Sequence, residues 1–213
     1  MLPTTSITLL LTLFLTITSA SPISFSFPLV ARGALTETQM LAIAPTSKNC
    51  DNPPAKGECA TAKQAVKFTT QSFDKYAVTS KAEQAAVISL MAFESDDFKY
   101  NKNHFPGVPG QGTRNMQSPA YNKKYAASIP ALKDKVAKVS SPAALLDLLR
   151  ENETYDFGSG AWFLTTQCSK DVRAKLQKGD EAGWQMYISD CVGTSVTDER
   201  KEYWERAVKA LGV

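Results

Sequence analysis

The stretch Ala85-Ala86-Val87-Ile88-Ser89-Leu90-Met91-Ala92-Phe93 carries no charge and stops on Glu94. Ser80 offers an N-cap ahead of it, and Glu83 follows three residues later, as in a capping box. The spacing predicts a helix from about Ser80 to Glu94, apolar enough to be buried and to need other elements packed around it. On that helix Val87, Leu90, Met91 and Glu94 fall at i, i+3, i+4 and i+7 and share one face. Glu94 therefore belongs to the apolar stripe. A carboxylate there is poorly solvated, which raises its pKa. At a loop-lined cleft such a group can hold a proton near neutral pH and donate it.

The remaining pattern is also helical. Ala60 to Tyr76 carries Ala62, Ala65, Val66 and Phe68 at roughly helical spacing. Further helices are expected from about Pro119 to Ser128 and Ala131 to Val139. Another follows the Ser141-Pro142 cap, with Leu145, Leu146, Leu148 and Leu149 as its core. After Gly158 and Gly160 a helix starts at Ala161, short helices follow near 170–178 and 180–190, and Thr197 caps a last one ending at Leu211-Gly212. Trp162, Trp184 and Trp204 lie in these apolar stretches and are expected in the core. Residues 98–117 form a long Pro- and Gly-rich loop, of the kind that is usually functional. Its three glycines precede no Lys-Ser/Thr pair and are no phosphate loop. Any sheet is confined to a small hairpin there, so the fold class is mainly α.

The ends bear on compartment. Leu9 to Ile17 is apolar and Thr18-Ser19-Ala20 is small, which reads as a signal peptide over 1–20. Residues 21–48 are expected to be a pro-segment or disordered lead, and the folded domain to run from about Asn49 to Val213. That leaves about 165 residues, enough for one domain. Cys50, Cys59, Cys168 and Cys191 suggest two disulfides in a secreted chain. Three pairings are possible; Cys50–Cys59 and Cys168–Cys191 close the shortest loops. A metal site is disfavoured by the spacing and by a single histidine, His104. A lone histidine supports no Ser/His/Asp triad here, since no nucleophile-elbow pattern accompanies it. Asn152-Glu153-Thr154 is a glycosylation sequon. The net charge of +3, without a dense basic block, disfavours nucleic acid as a partner.

Three patterns occur in order: Glu94-Ser95 with Phe98 and Asn101; Gly112-Thr113-Arg114-Asn115-Met116-Gln117 before Pro119; and Tyr155-Asp156-Phe157-Gly158. Together they resemble the lysozyme-like superfamily, especially goose-type lysozymes and soluble lytic transglycosylases, over roughly residues 80 to 165. The stretch from Phe93-Glu94-Ser95 to Asn115-Met116-Gln117 is also similar to a group of secreted ascomycete proteins of unassigned activity. The chain departs from the superfamily in a longer gap between Glu94 and Gln117, a more distant Gly112, and Asp156 where an Asn is usual.

The resemblance implies a lysozyme-like helical domain, expected to be a monomer, that cleaves a β-1,4-linked amino-sugar polymer: peptidoglycan ahead of chitin or chitosan. Glu94 would be the general acid that protonates the leaving oxygen. Asp97 and Asp96 are the nearest candidates for activating a water, with Asp156 behind them; an inverting pair needs carboxylates roughly 6.5–9.5 Å apart. Where a second carboxylate is missing, the acetamido group of the substrate can stabilise the oxocarbenium-like state, or Glu94 can act again as base. Gln117, Tyr155 and Asn115 would orient Glu94 or the sugar. Tyr100, Tyr121 and Trp162 are candidate stacking surfaces. No metal or organic cofactor is implied, and no membrane association once the signal is removed. The competing expectation is a secreted carbohydrate-binding or effector protein with no chemistry. Glu94 facing a groove beside Gln117 and Tyr155 favours the enzyme; Glu94 paired with a Lys or Arg on an open surface favours the alternative.

Overall fold

The computed structural model describes residues 34–213; the signal-like segment lies outside them. The described residues are mainly α-helical. The folded unit begins at Ala34 rather than near Asn49. The reason lies in helix α1 (Glu37–Ile43), which the polar look of the segment conceals. Thr36 and Gln39 cap each other's backbone N–H groups, and Met40 and Ile43 are buried in the main core. The expected lead is thus in part an integral helix.

Helices α2 (Ala62–Lys75) and α3 (Lys81–Glu94) follow. Every residue of α3 from Ala85 to Ala92 is buried, so the helix is covered on all sides. Ser80 is its N-cap residue but makes no side-chain cap. The expected capping box fails because Glu83 is buried and takes Arg173 instead, with Nε 2.7 Å from Oε1. Helices α4 (Pro119–Ala127) and α6 (Pro142–Arg150) pack on each other and meet the loop, while the short α5 (Lys133–Val136) contacts α4. Pro119 and Pro142 stand in first turns where no N–H is needed, after Ser118 and Ser141 caps.

A single turn, α7 (Glu153–Asp156), leads into α8 (Gly158–Gln167). This helix starts three residues earlier than its glycines suggest. Both glycines are inside it because neighbours leave no room for a Cβ: at Gly158 it would strike the Tyr125 hydroxyl, and at Gly160 it would lie 2.8 Å from Met91 Sδ. Helix α8 serves two cores. Ala161 and Leu164 join the main one around α3; Trp162 and Phe163 join a second with Tyr125, Leu145 and Leu149. Helices α9 (Lys170–Leu176) and α10 (Glu181–Met186) run into a π-helical turn, Tyr187–Val192. The last helix, α11 (Asp198–Leu211), is capped by Thr197 and lies along α3. The disulfides join Cys50 to Cys59 and Cys168 to Cys191, the short-loop pairing.

The 98–117 loop forms no ladder. Two isolated bridges, Lys102 with Gly112 and Gly112 with Gln117, stand where a hairpin was expected. Gly112 sits at the crossing of both bridges, and a Cβ there would lie 2.7 Å from the Asn101 carbonyl oxygen and 2.8 Å from Leu146. Backbone cannot step aside cheaply. Gly112→Ala is expected to lower stability by about 1–3 kcal/mol, read as a fall in the urea midpoint.

Candidate functional site

Glu94 is the last residue of α3, where the helix dipole is negative and disfavours a carboxylate charge. The chain must leave the helix at once to open space in front of it. It does so through Asp96, Asp97 and Phe98, three successive residues with φ of 49°, 54° and 65°. Left-handed backbone outside glycine costs energy, about 1–2 kcal/mol per residue. Ser95 holds the turn. Its buried hydroxyl donates to the Met91 carbonyl at 2.6 Å and accepts from Phe98 N–H at 3.0 Å, while its carbonyl accepts from Lys99 and Tyr100. The Glu-Ser pair therefore has a local physical meaning: one residue faces the opening and the next anchors the turn beside it.

The two aspartates serve this turn. Asp97 is buried; one oxygen accepts from Thr46 N–H and hydroxyl at 2.8 and 2.7 Å, and the other from Tyr203 at 2.8 Å. Asp96 is exposed and pairs with Lys99 at 3.4 Å. Neither lines the groove in front of Glu94, so neither stands where a water-activating base would. Asp156 is fully buried beneath the loop: Arg114 Nε lies 2.8 Å from its Oδ2, and Asn101 donates to the same oxygen. Burial pushes this carboxyl up, while Arg114 and Asn101 pull it down. Arg114 in turn donates to the Phe98 and Tyr100 carbonyls, so the Asp156–Arg114 pair braces the turn from below.

Two depressions meet at Glu94. The first, about 310 Å³, is lined by Leu90, Asn115, Gln117, Tyr121, Phe163, Thr194 and Arg200 among others; the second, about 330 Å³, by Tyr100, Lys102, Asn103, His104 and Phe105. Glu94, Gln111 and Met116 line both. Among the described residues Glu94 is the one carboxylate that lines either. The structure thus gathers four of the expected binding residues, Gln117, Asn115, Tyr121 and Tyr100, around Glu94. Tyr155 lines neither depression; its carbonyl accepts from Tyr125. Trp162 is also no stacking surface, being buried against Tyr125 at 5.1 Å.

Gln117 donates to Asn122 Oδ1 at 2.7 Å, which leaves its buried Oε1 without a protein partner. Asn115 Oδ1 accepts from Thr113 and Ser159. Thr113 and Met116, on the same strip, have φ of 61° and 46°. Strained backbone thus occurs on both walls of the opening, a pattern common at functional sites.

Sequence reading missed Arg200. From the first turn of α11 its Nη2 reaches Glu94 Oε1 at 2.9 Å, and its guanidinium lies 4.6 Å from the Phe93 ring centroid. No local pattern signals a partner 106 residues away. Glu94 is only 21% exposed at its side chain. Burial raises its pKa above the ordinary 4.5, and Arg200 opposes that without cancelling it. The buried Tyr187 phenol is pushed up as well, first by burial and then by the charge on Glu94, so it stays protonated. Because the folded state holds the Glu94 proton more tightly than the unfolded chain, this group contributes stability below pH 4.5, lost as pH rises through the raised folded value. Arg200→Gln removes the opposing interaction. The Glu94 pKa is expected to rise further, measured as an upfield-to-downfield carboxyl NMR titration with a higher midpoint than in the parent.

Glu58 was also missed. It is buried next to Cys59 and collects Asn101 N–H at 3.1 Å, His104 Nε2 at 3.0 Å, Arg150 Nη2 at 3.3 Å and Lys102 Nζ at 3.6 Å. Burial raises its pKa, but Asn101, His104 and Arg150 together outweigh burial and hold it below 4.5. It ties the first disulfide loop to the wall of the second depression. No cluster of three or more His, Cys, Asp or Glu able to hold a metal occurs among the described residues.

The chain is similar in sequence to a bifunctional dioxygenase–epoxy alcohol synthase of Fusarium oxysporum, 48% identical over 157 residues. The match covers 70% of this chain, which spans 12% of the length of that relative. No family model and no solved structure matches the chain.

Proposed function

We propose that this protein is a secreted, lysozyme-like enzyme that cleaves a β-1,4-linked amino-sugar polymer, peptidoglycan first, with Glu94 as general acid. The observation that carries the reading is a half-buried carboxyl of raised pKa, the one carboxylate among the described residues where two depressions meet. A polymer lying along both depressions passes over Glu94, and the bond there receives its proton. With neither Asp96 nor Asp97 at hand, the substrate's acetamido oxygen is left to stabilise the cation at C1 as the leaving oxygen takes the proton. That places chitosan, which lacks the acetyl group, behind peptidoglycan and chitin.

Two disulfides and the signal-like leader support export. The relative's name gives two activities to a chain of which this one spans 12%; in this proposal the shared segment is a glycan-directed unit accompanying them.

The Glu94–Arg200 pair favours a second reading, a non-catalytic carbohydrate-binding or effector protein, because a paired carboxylate holds its proton less well. The two readings separate when the full chain is incubated with purified peptidoglycan and with chitin hexamer. Release of soluble amino-sugar fragments supports the enzyme; binding with no fragments supports the second reading.

A further inference from the structure

Asn152-Glu153-Thr154 is the one Asn-X-Ser/Thr triplet of the chain, and X is not Pro. Such triplets also arise by chance, so the fold has to say what this amide is free to do. Asn152 is exposed, in the turn between α6 and α7, and is the N-cap residue of α7. The cap uses one end of the side chain: Oδ1 accepts from Thr154 N–H at 2.9 Å. Nδ2 takes no part in it and has no acceptor among the described residues.

Three other asparagines behave differently. Asn101 Nδ2 donates to Asp156 at 3.0 Å, Asn103 Nδ2 to Gln111 at 3.1 Å, and Asn122 Nδ2 to the Gly110 carbonyl at 2.8 Å. There the fold needs the amide and consumes its N–H groups; at Asn152 it leaves them in solvent. The surroundings are polar: Asp147 and Glu151 are exposed, and Glu153 accepts from Gln64 at 3.3 Å. A bulky, hydrophilic substituent belongs on a surface of this kind. Asn152 lines neither depression, so the attachment point lies outside the groove at Glu94.

We infer that Asn152 is an acceptor for an N-linked glycan on the exported chain. This rests on the export reading above and on no part of the catalytic one. In the transfer, Nδ2 forms a bond to C1 of the reducing-end amino sugar of a lipid diphosphate-linked oligosaccharide. The bond from C1 to the phosphate oxygen breaks, the lipid diphosphate leaves with that electron pair, and Nδ2 gives up one proton. Oδ1 is untouched, so the cap of α7 survives the modification.

The test expresses the full chain with its own leader in a eukaryotic secretion host and digests the secreted protein with peptide N-glycosidase. The wild type is expected to drop by one mobility step on a gel, with the Asn152 amide converted to a carboxylate in the mass spectrum of its peptide. Asn152→Asp keeps a capping oxygen and lacks the acceptor nitrogen; Thr154→Val keeps the side-chain shape and lacks the hydroxyl. Both should run, undigested, level with the digested wild type and unfold at a similar urea midpoint. Thr154→Ser keeps a hydroxyl and should still shift. Secreted wild type with no shift overturns the inference and leaves export standing. A shift that persists in Asn152→Asp overturns it as well. Wild type retained in the cytosol sinks the export reading instead; a copy carrying a heterologous secretion leader then decides, a shift supporting the acceptor and its absence overturning it.

Discussion

Glu94→Gln is expected to slow peptidoglycan cleavage by about 10²–10⁴-fold while the protein stays folded. The amide matches the carboxyl in size and can still accept from Arg200 Nη2, so the end of α3 and the first turn of α11 remain joined. What is lost is the proton. Among the described residues no other carboxylate lines the groove to supply one. The wild-type rate should fall as pH rises through the raised Glu94 pKa, because only the protonated form is the acid. Arg200→Gln should carry that limb to higher pH, in step with the NMR midpoint. A limb that ignores Arg200 assigns the titration to some other group.

The largest loss of stability is expected from Asp156→Ala, about 3–5 kcal/mol. Asp156 and Arg114 are both almost wholly buried, with the guanidinium 4.9 Å from the Phe157 ring centroid. Removing the carboxylate strands a cation in the core, and the desolvation already incurred is no longer offset. The damage also has a direction. Arg114 holds the carbonyls of Phe98 and Tyr100, so the strained turn after Glu94 loses its brace. A chemical-denaturation midpoint reads the loss. The same variant is expected to lose glycan binding at temperatures where circular dichroism still reports helix.

What was legible in the sequence is what short-range patterns encode. The helix ending at Glu94, the proline-led helices α4 and α6, and the short-loop disulfides all follow from local spacing. Gln117 and Asn115 were expected only through the resemblance to the lysozyme-like superfamily, and both line Glu94's groove. Three kinds of feature were hidden. Helix α1 is polar in composition and buries only Met40 and Ile43, too few to show a period. The glycines that begin α8 look like breakers, and only the touching Tyr125 and Met91 side chains explain them. Arg200 and Glu58 act through partners distant in sequence, where periodicity is silent. Asp96 and Asp97 misled for a related reason. Their position beside Glu94 suggested chemistry, whereas a turn with positive φ gives an equal reason for aspartate.

Mass analysis of the products formed from purified peptidoglycan tests the central claim most directly. The wild-type chain should generate fragments with new anhydro or reducing ends, and Glu94→Gln should return the polymer uncut. Polymer left intact by the wild type, or cut equally well by the variant, would contradict the assignment of Glu94 as the acid.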